Sequence, residues 1–408
     1  MAGIWLLPWL LSLSLSPRAE PLLFVPLEEL LEPVQEAARS SRDPQKPVSS
    51  GEVSLPMVHL YARVVDNEKH FLTDLKLENF ELFEEGESQT IVQFSREQVP
   101  VRVGILVDVS KSMRSYAGAF RTSLKEFAQT TRELDEIFVM TFDESVNPPP
   151  ANDPEHIFAS KEQTPDLLEA VEDIGMGSFR SASARDKLHN RNDSRGDTNL
   201  YGAILTVLEC LQESKRAKEE WGCASRQIPE ELKKKKVDPI LKKQRRVIFL
   251  ITDGYDNEKR NTLAKVLEKV QRADVAVYAL LIQGPYSTEG MRAQGKRIIG
   301  TLVEETGGSF YESETMEEIY QLRREASRTL RSTEGQQDEL ADTKLPAELT
   351  GLVLRIAEEM RTQYYLAFTP FISAPENICR KVRIKLVGRS GLAPVKSRSC
   401  YYTKPVAE

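Results

Sequence analysis

Three short segments of this chain contain the oxygen-bearing side chains that a hard divalent cation prefers. They read Asp108-Val109-Ser110-Lys111-Ser112, Gly196-Asp197-Thr198-Asn199 and Thr252-Asp253-Gly254. Five of their residues form a candidate ligand set of two carboxylates and three hydroxyls: Asp108, Ser110, Ser112, Thr198 and Asp253. Such a set suits Mg²⁺, or Mn²⁺ in its place, because both take oxygen ligands in octahedral geometry. The segments hold no thiol or imidazole, which argues against zinc.

Each segment taken alone has an ordinary explanation, since Asp and Ser also cap helices and form turns. Their position in the chain makes the combination specific. Asp108 follows the apolar run 103–107 (VGILV), Asp253 follows 247–252 (VIFLIT), and Thr198 precedes a helical pattern. Both apolar runs are typical of strands buried on two faces. Because ligands of open parallel sheets bind at the carboxyl ends of the strands, we expect the three segments to meet on one rim.

The surrounding sequence alternates strand and helix patterns, as the placement of these loops requires. Strand patterns cover 103–107, 135–142, 247–252 and 275–282, and an edge strand covers 309–311. Helical patterns cover 117–132, 165–174, 200–213, 263–273 and 291–306, the last ending at Gly307-Gly308. This alternation predicts an α/β fold with a doubly wound, mainly parallel sheet and helices on both faces. We assign residues 99–330 to it.

Two flanking regions have a different character. Residues 57–98 alternate apolar and polar side chains around a turn at Glu85-Gly86, which indicates a small β-rich module. It is too short to bury a large core alone, so we expect it to pack on the next domain or to pair with C-terminal strands. Residues 350–408 are predicted to form a helix and a β-hairpin. Charged stretches at about 215–246 and at 331–349 are interpreted as insertions with solvated surfaces.

The amino terminus has the pattern of an export signal. Residues 4–15 form an apolar run of 12 residues, which is too short for a spanning helix of about 20 residues. Small residues follow at the spacing that signal peptidase prefers. We therefore predict a signal peptide over 1–19, a weakly ordered linker over 20–56, and a secreted or periplasmic protein without a membrane span. A net charge of −7 and a pI near 5.5 do not favour nucleic acid as a partner.

The four cysteines are consistent with export. Cys379 and Cys400 flank an alternating strand pattern and the turn sequence Gly388-Arg389-Ser390-Gly391. If Arg389-Ser390 is the two-residue loop of a hairpin, these cysteines face each other directly, and we predict a disulfide between them. Cys210 and Cys223 are the remaining pair. They either form a second disulfide or leave Cys210 as a buried apolar thiol on a helix.

The three loop sequences, VDVSKSM, GDTNLYGAI and LITDGYDN, resemble the metal-ion-dependent adhesion site of von Willebrand factor A domains. The resemblance implies a Rossmann-like fold and direct metal ligation by Ser110, Ser112 and Thr198. Asp108 and Asp253 would then act largely through water. It also implies one coordination position for a carboxylate from a partner protein. This chain has Asp197 where the family usually has Gly, which adds a negative charge beside the site.

The flanks resemble a family of exported bacterial proteins, the Acidobacteria-type VWFA-related proteins. The sequences that show it are ARVVDNEKHFLTDLKLENFELFEEGESQTIVQFS, RIAEEMRTQYYLAFTP and RSCYY, so the resemblance extends over about residues 55–402. In the charged stretches this sequence differs from the family. The complete five-residue set and the export signal favour a binding module for a protein partner rather than an enzyme.

Two other functions stay open at this point. A structural or assembly component would use the metal only for stability, with the charged stretches as contact surfaces. A metal-dependent hydrolase would need a general base or nucleophile beside the metal. Asp197 and Asp143 are the candidates by position, and neither has an identifiable partner in the sequence. No Gly-x-Ser-x-Gly elbow and no Gly-Lys-Ser/Thr phosphate loop occurs.

Overall fold

In the computed structural model, strands and helices alternate along the middle of the chain. Short strands border this region on both sides. The structure describes residues 57–68, 70–96, 99–113, 116–147, 157–172, 198–224, 244–257, 260–284, 287–329, 334–370, 377–388 and 395–402. The strands are β1 (Val58–Ala62), β2 (Phe80–Glu84), β3 (Glu87–Gln89), β4 (Ile91–Ser95), β5 (Val101–Asp108), β6 (Glu136–Phe142), β7 (Val146–Asn147), β8 (Arg245–Thr252), β9 (Val275–Leu281), β10 (Phe310–Glu312), β11 (Tyr364–Phe368), β12 (Cys379–Leu386) and β13 (Cys400–Tyr402). The helices are α1 (Ala117–Gln129), α2 (Thr164–Glu172), α3 (Leu200–Leu211), α4 (Lys215–Trp221), α5 (Leu263–Arg272), α6 (Glu289–Thr306), α7 (Glu314–Thr329), α8 (Glu334–Glu339) and α9 (Leu345–Arg361). These residues belong to one compact unit, Leu55–Glu408.

The α/β region is built on a six-stranded sheet with the strand order β10-β9-β8-β5-β6-β7. Neighbouring strands run parallel except at the edge, where β7 is antiparallel to β6. From β5 the chain adds β6 and β7 on one side and β8, β9 and β10 on the other. The sheet is therefore wound in both directions from its centre, and the predicted doubly wound, mainly parallel fold is confirmed.

Both faces of this sheet are buried because its central strands are apolar on both sides. Val103 and Val107 of β5 pack on the face that α1 and α9 cover, and Leu106 packs on the opposite face with α3. Gly104 leaves room for α3, because a Cβ there would lie 2.4 Å from Val207 Cγ1. Fully burying one Val or Leu side chain contributes about 1.5–3 kcal/mol. The two layers therefore hold the strand ends, and the loops that follow them, in fixed positions.

Strands from the two ends of the described chain form a small β-sandwich. One sheet has the order β1-β11-β4 and the other has the order β13-β12-β2-β3. Leu60 and Leu366 from the first sheet share one hydrophobic core with Leu82 and Ile384 from the second. The prediction that N- and C-terminal segments build one β-rich module is therefore confirmed.

Both predicted disulfides are present. Cys210 on α3 bonds to Cys223, with the Cα atoms 5.0 Å apart, and Cys379 bonds to Cys400, with the Cα atoms 5.5 Å apart. Cys210 is thus not a free apolar thiol, although it is fully buried. The first bond joins α3 to the second residue after α4, and the second joins β12 to β13.

The predicted hairpin register between β12 and β13 is wrong. Cys379 lies opposite Tyr402, and Lys381 lies opposite Cys400, so the two cysteines are diagonal neighbours. The prediction assumed that the strands continue to a two-residue turn. Instead, the segment before β13 leaves β12 and forms a bridge from Lys396 to Arg63.

Several predicted features lie outside the described residues. They are the signal peptide over 1–19, the linker over 20–56, Asp197, and much of the charged stretch near 215–246. Within the described residues, β8 begins at Arg245 and α9 begins at Leu345, so each starts inside a stretch that the sequence presented as a charged insertion. The division of the chain at these borders stays a prediction. In the part of the chain that the structure describes, no helix has the length and apolar character of a membrane span.

Candidate metal centre

Asp108 and Asp253 lie at the carboxyl ends of the two central strands. β5 ends at Asp108, and β8 ends at Thr252, immediately before Asp253. The two strands are parallel neighbours with Val107 opposite Ile251, so both carboxylates reach the same rim. Asp108 is fully buried and Asp253 is 8% exposed. The structure thus brings these two residues together, as the strand pattern of the sequence indicates.

Hydrogen bonds join four of the five candidate residues into a chain across the rim. One oxygen of Asp108 accepts from the Ser110 N–H at 2.9 Å, and the other accepts from Thr252 Oγ1 at 2.9 Å. Ser110 Oγ lies 3.2 Å from Ser112 Oγ. Ser112 Oγ in turn donates to Asp253 Oδ2 at 2.8 Å. The oxygens of the first and third segments are therefore close enough to surround one small ion.

Thr198 reaches the same rim through its backbone. Its N–H donates to Asn257 Oδ1 at 2.5 Å, and the Asn257 N–H donates back to Thr198 O at 3.2 Å. The next residue, Asn199, donates its N–H to Asp143 O at 2.8 Å, and its side chain caps α3 by accepting from the Gly202 N–H at 3.0 Å. Thr198 and Asn199 are thus held between the loops that follow β6 and β8.

Three residues that position the candidate ligands were not identified from the sequence: Thr252, Asp256 and Asn257. Asp256 Oδ1 accepts from the Tyr201 N–H at 3.0 Å, which adds a second link between α3 and the loop after β8. The sequence LITDGYDN contains a signal for the last two, because Asp and Asn side chains often bond backbone groups in turns. Thr252 gives no such signal, since its position is that of the last residue of an apolar strand.

The rim is unfavourable for two ionised carboxylates. Burial, and secondarily the negative charge of Asp253, raise the pKa of Asp108 from 3.8 to about 7. Burial also raises the pKa of Asp253. No Lys or Arg among the described residues lowers either pKa or forms an ion pair with either carboxylate. Because a buried charge without a partner is costly, the donor set fits a bound cation that supplies the missing positive charge.

The metal-free protein is expected to lose stability as the pH rises from about 4 to about 7. The pKa of Asp108 is higher in the folded protein than in the unfolded chain, so folding takes up a proton in this range. Mg²⁺ replaces that proton as the positive partner. The rise in the thermal unfolding midpoint that Mg²⁺ causes should therefore be larger at about pH 8 than at about pH 5. Unfolding scans with Mg²⁺ or a chelator measure this, and an equal rise at both pH values would contradict it.

Two glycines hold the Asp253 loop against helix α6. Gly254 has a φ of +77°, in the left-handed region, and a Cβ there would lie 2.8 Å from Gly295 O. A Cβ on Gly295 would lie 2.4 Å from Asp253 O. This backbone-to-backbone contact requires a residue without a Cβ on each side. Helix α6 thereby fixes the position of Asp253 on the rim.

We expect Gly295→Ala to weaken Mg²⁺ binding by about tenfold or more, because the added methyl group displaces the Asp253 backbone. Gly290→Ala on the same helix is the matched control, since a Cβ there meets no atom within 4 Å. Calorimetric titration with Mg²⁺ compares the two variants. Equal affinities would show that the α6 contact does not set the position of Asp253.

A second group of potential metal ligands lies on the β-sandwich. Asp66, Glu68 and His70 place one ligand atom each within 4.8 Å of one another. The Asp66 carboxylate already accepts from the N–H groups of Glu68 and His70, at 2.9 and 2.8 Å. Glu68 and His70 are exposed. These are the bonds of an ordinary acidic turn, so this group is a weaker candidate than the buried rim.

Comparison with known proteins gives distant structural similarity. No protein-family model matches the chain, and no curated protein matches it. Among solved structures, the chain is similar to a von Willebrand factor type A protein from Catenulispora acidiphila, with 10% identity, a TM-score of 0.38, and coverage of 86% of this chain and 74% of that one. Proximal thread matrix protein 1 of the mussel byssus is 18% identical, with a TM-score of 0.33 over 56% of this chain.

The chain spans about half of the mussel protein, 47% of its length. Another structure of that protein, described as having a zinc-occupied MIDAS motif, is 18% identical with a TM-score of 0.31. The doubly wound α/β fold of this chain follows from its own strand order and register.

Proposed function

We propose that this protein is an extracytoplasmic interaction or adhesion module that binds Mg²⁺ or Mn²⁺ on the rim of its α/β sheet. In this proposal Ser110, Ser112 and Thr198 ligate the cation through their hydroxyl oxygens. Asp108 and Asp253 contact it largely through water. A partner protein completes the coordination with a carboxylate. This is the arrangement implied by the resemblance of the three loops to a metal-ion-dependent adhesion site.

The observation that most directly supports the cation is the pair of buried carboxylates, Asp108 and Asp253, without a positive partner among the described residues. The proposed direct ligands are uncharged hydroxyls, so the cation would keep much of its charge toward the open side. A bound cation of this kind is the largest local charge and attracts an anionic ligand. Ser112 is partly exposed, which leaves that side accessible to a partner.

Two observations support the extracytoplasmic location. The chain holds two disulfides, Cys210–Cys223 and Cys379–Cys400. Disulfides of this kind persist mainly in oxidising compartments. The apolar run at 4–15 supports export, on the sequence alone.

Capture of a protein partner tests the proposal. The immobilised chain is incubated with extracytoplasmic proteins of the source cells, with Mg²⁺ or with a chelator, and compared with Ser112→Ala and Thr198→Ala. Ser145→Ala is the control, because Ser145 is exposed and bonds to Asp143 beside the rim. We expect the chelator and both site variants to abolish capture, and the control to retain it. Capture that survives all three treatments would refute the role of the metal.

A structural or assembly component with a stabilising metal is the alternative. The raised pKa of Asp108 favours this reading in part, because a cation that relieves the buried charge also stabilises the fold. Mg²⁺ would then raise the unfolding midpoint without changing partner capture.

A metal-dependent hydrolase is less favoured. The Asp143 carboxylate accepts from the Ser145 N–H at 3.1 Å, and Asp197 lies outside the described residues. Metal-dependent turnover of a substrate would revive it.

A further inference from the structure

Four largely buried arginines lie in the β-sandwich and in the neighbouring strand and helix of the α/β region. Arg63 bonds to Glu359 at 2.8 Å and Arg361 bonds to Asp135 at 2.7 Å. Arg398 bonds to Asp274, also at 2.7 Å. The fourth is Arg245. Three of the four positive charges are thus neutralised by a carboxylate.

Of these four arginines, Arg245 is the one that has no carboxylate partner among the described residues. It is the first residue of β8 and is 5% exposed. Its guanidinium donates to Tyr278 Oη and to Met360 O, each at 3.2 Å. It also lies 4.9 Å from the centre of the Tyr61 ring. These contacts are favourable but leave one positive charge uncompensated in a buried environment.

A small cavity lies beside this uncompensated charge. Its volume is about 20 Å³, and it is lined by Tyr61, Arg245, Asp274, Ala276, Thr306 and Arg398. A volume of roughly 10–15 Å³ on this measure admits one solvent-sized particle. The cavity is therefore large enough for one water molecule or one monoatomic ion.

Arg245, Arg398 and Tyr61 offer donors around the cavity, and the Asp274 carboxylate is an acceptor whose Oδ1 is bonded to Arg398. Arg398 donates through its two terminal nitrogens to Asp274 and to His59 O, but its Nε–H is buried without an acceptor. Tyr61 has no hydrogen-bond partner for its hydroxyl among the described residues. Thr306 Oγ1 is already used, because it accepts from the Val277 N–H and donates to Leu302 O.

We propose that this cavity binds a chloride-sized anion between Arg245 and Arg398. A water molecule there would leave the charge of Arg245 uncompensated, whereas an anion balances that charge, since the Asp274 carboxylate is neutralised by Arg398. An anion uses the unpaired Arg398 Nε–H and the Tyr61 O–H, and it neutralises Arg245. The site joins β1, β8 and the start of β9 to the segment before β13, so its occupation stabilises the contact between the sandwich and the α/β region.

Halide-dependent unfolding tests this site in the full chain. At equal ionic strength, sodium chloride should raise the thermal unfolding midpoint by about 2–4 °C over sodium gluconate, because gluconate is too large for the cavity. Tyr61→Phe removes one donor but keeps the ring, and it should reduce the rise by more than half. Lys381→Gln, which removes an exposed cation from the same β-sandwich, should keep the full rise.

Crystals grown in sodium bromide locate the ion, because bromide scatters anomalously. A bromide peak between Arg245 and Arg398 supports the proposal. A water molecule at that position without a bromide peak, or equal midpoints in chloride and gluconate, overturns it. Arg398→Lys keeps a cation beside Asp274 but lacks Nε, and a halide effect of parental size in that variant also counts against the site. Asp108→Asn should retain the effect, which separates this site from the proposed metal site.

Discussion

Asp108→Asn is expected to weaken Mg²⁺ binding by about 10- to 100-fold and to make the metal-free protein more stable at about pH 8. The Mg²⁺ affinity falls because the negative charge of the Asp108 carboxylate is lost. Stability rises because burial and Asp253 raise the pKa of Asp108 from 3.8 to about 7, so its ionised form is costly. Each pKa unit corresponds to about 1.4 kcal/mol. The introduced amide has one acceptor oxygen, so it keeps the bond from either the Ser110 N–H or Thr252 Oγ1, and the loss of the other bond costs only about 1 kcal/mol.

Two measurements separate these effects. Calorimetric titration gives the Mg²⁺ affinity, and urea unfolding with a chelator gives the stability of the metal-free protein. Asp66→Asn is the matched control, because it removes a carboxylate from the exposed group on the sandwich. We expect it to leave the Mg²⁺ affinity unchanged and not to raise the stability, because the Asp66 carboxylate accepts two N–H bonds in its turn. Loss of Mg²⁺ binding in the control, with parental binding in Asp108→Asn, would place the metal on the exposed turn instead.

The strand ends that bring Asp108 and Asp253 together were predictable from the sequence. The apolar runs of β5 and β8 are long enough to indicate strands buried on both faces. Parallel neighbours in a doubly wound sheet place their carboxyl ends on one edge. Local patterns therefore sufficed to predict which loops meet, and the resemblance supplied the ligand roles that stay part of the proposal.

Contacts between distant segments were not predictable in the same way. Gly295 has the sequence context of an ordinary helical glycine, and only the packing of α6 shows that a Cβ there would meet Asp253 O. The register of β12 and β13 depends on the bridge between Lys396 and Arg63, which involves the far end of the chain. Such pairings depend on three-dimensional packing and leave no local pattern.

The charged stretch at 331–349 shows a further limit of sequence patterns. Its charges indicated a solvated insertion, yet Leu345 and Leu349 are fully buried in the core of the α/β region. These two residues are four positions apart and so lie on one face of α9. A few apolar positions at helical spacing are enough to bury such a helix, even where charged residues dominate the composition.

The end of this helix is the place where one substitution should affect folding most strongly. Arg361→Met is expected to lower the free energy of unfolding by about 3–5 kcal/mol. Arg361 donates from Nε and Nη2 to Asp135 Oδ2, at 3.1 and 2.7 Å, and both side chains are almost fully buried. Without the guanidinium, the donors that remain to the Asp135 carboxylate among the described residues are the backbone N–H groups of Val101 and Arg132. Urea unfolding of the parent and the variant measures the difference.

A second substitution shows whether this cost comes from the unpaired charge or from lost packing. Asp135→Asn removes the charge and retains an acceptor for the Val101 N–H, which holds the start of β5. If the unpaired charge is the cause, the double variant Arg361→Met/Asp135→Asn should be more stable than Arg361→Met alone. If lost packing is the cause, the second substitution should lower the free energy of unfolding further. Arg383→Met on the exposed face of β12 is the control, and it should change the stability by less than about 0.5 kcal/mol.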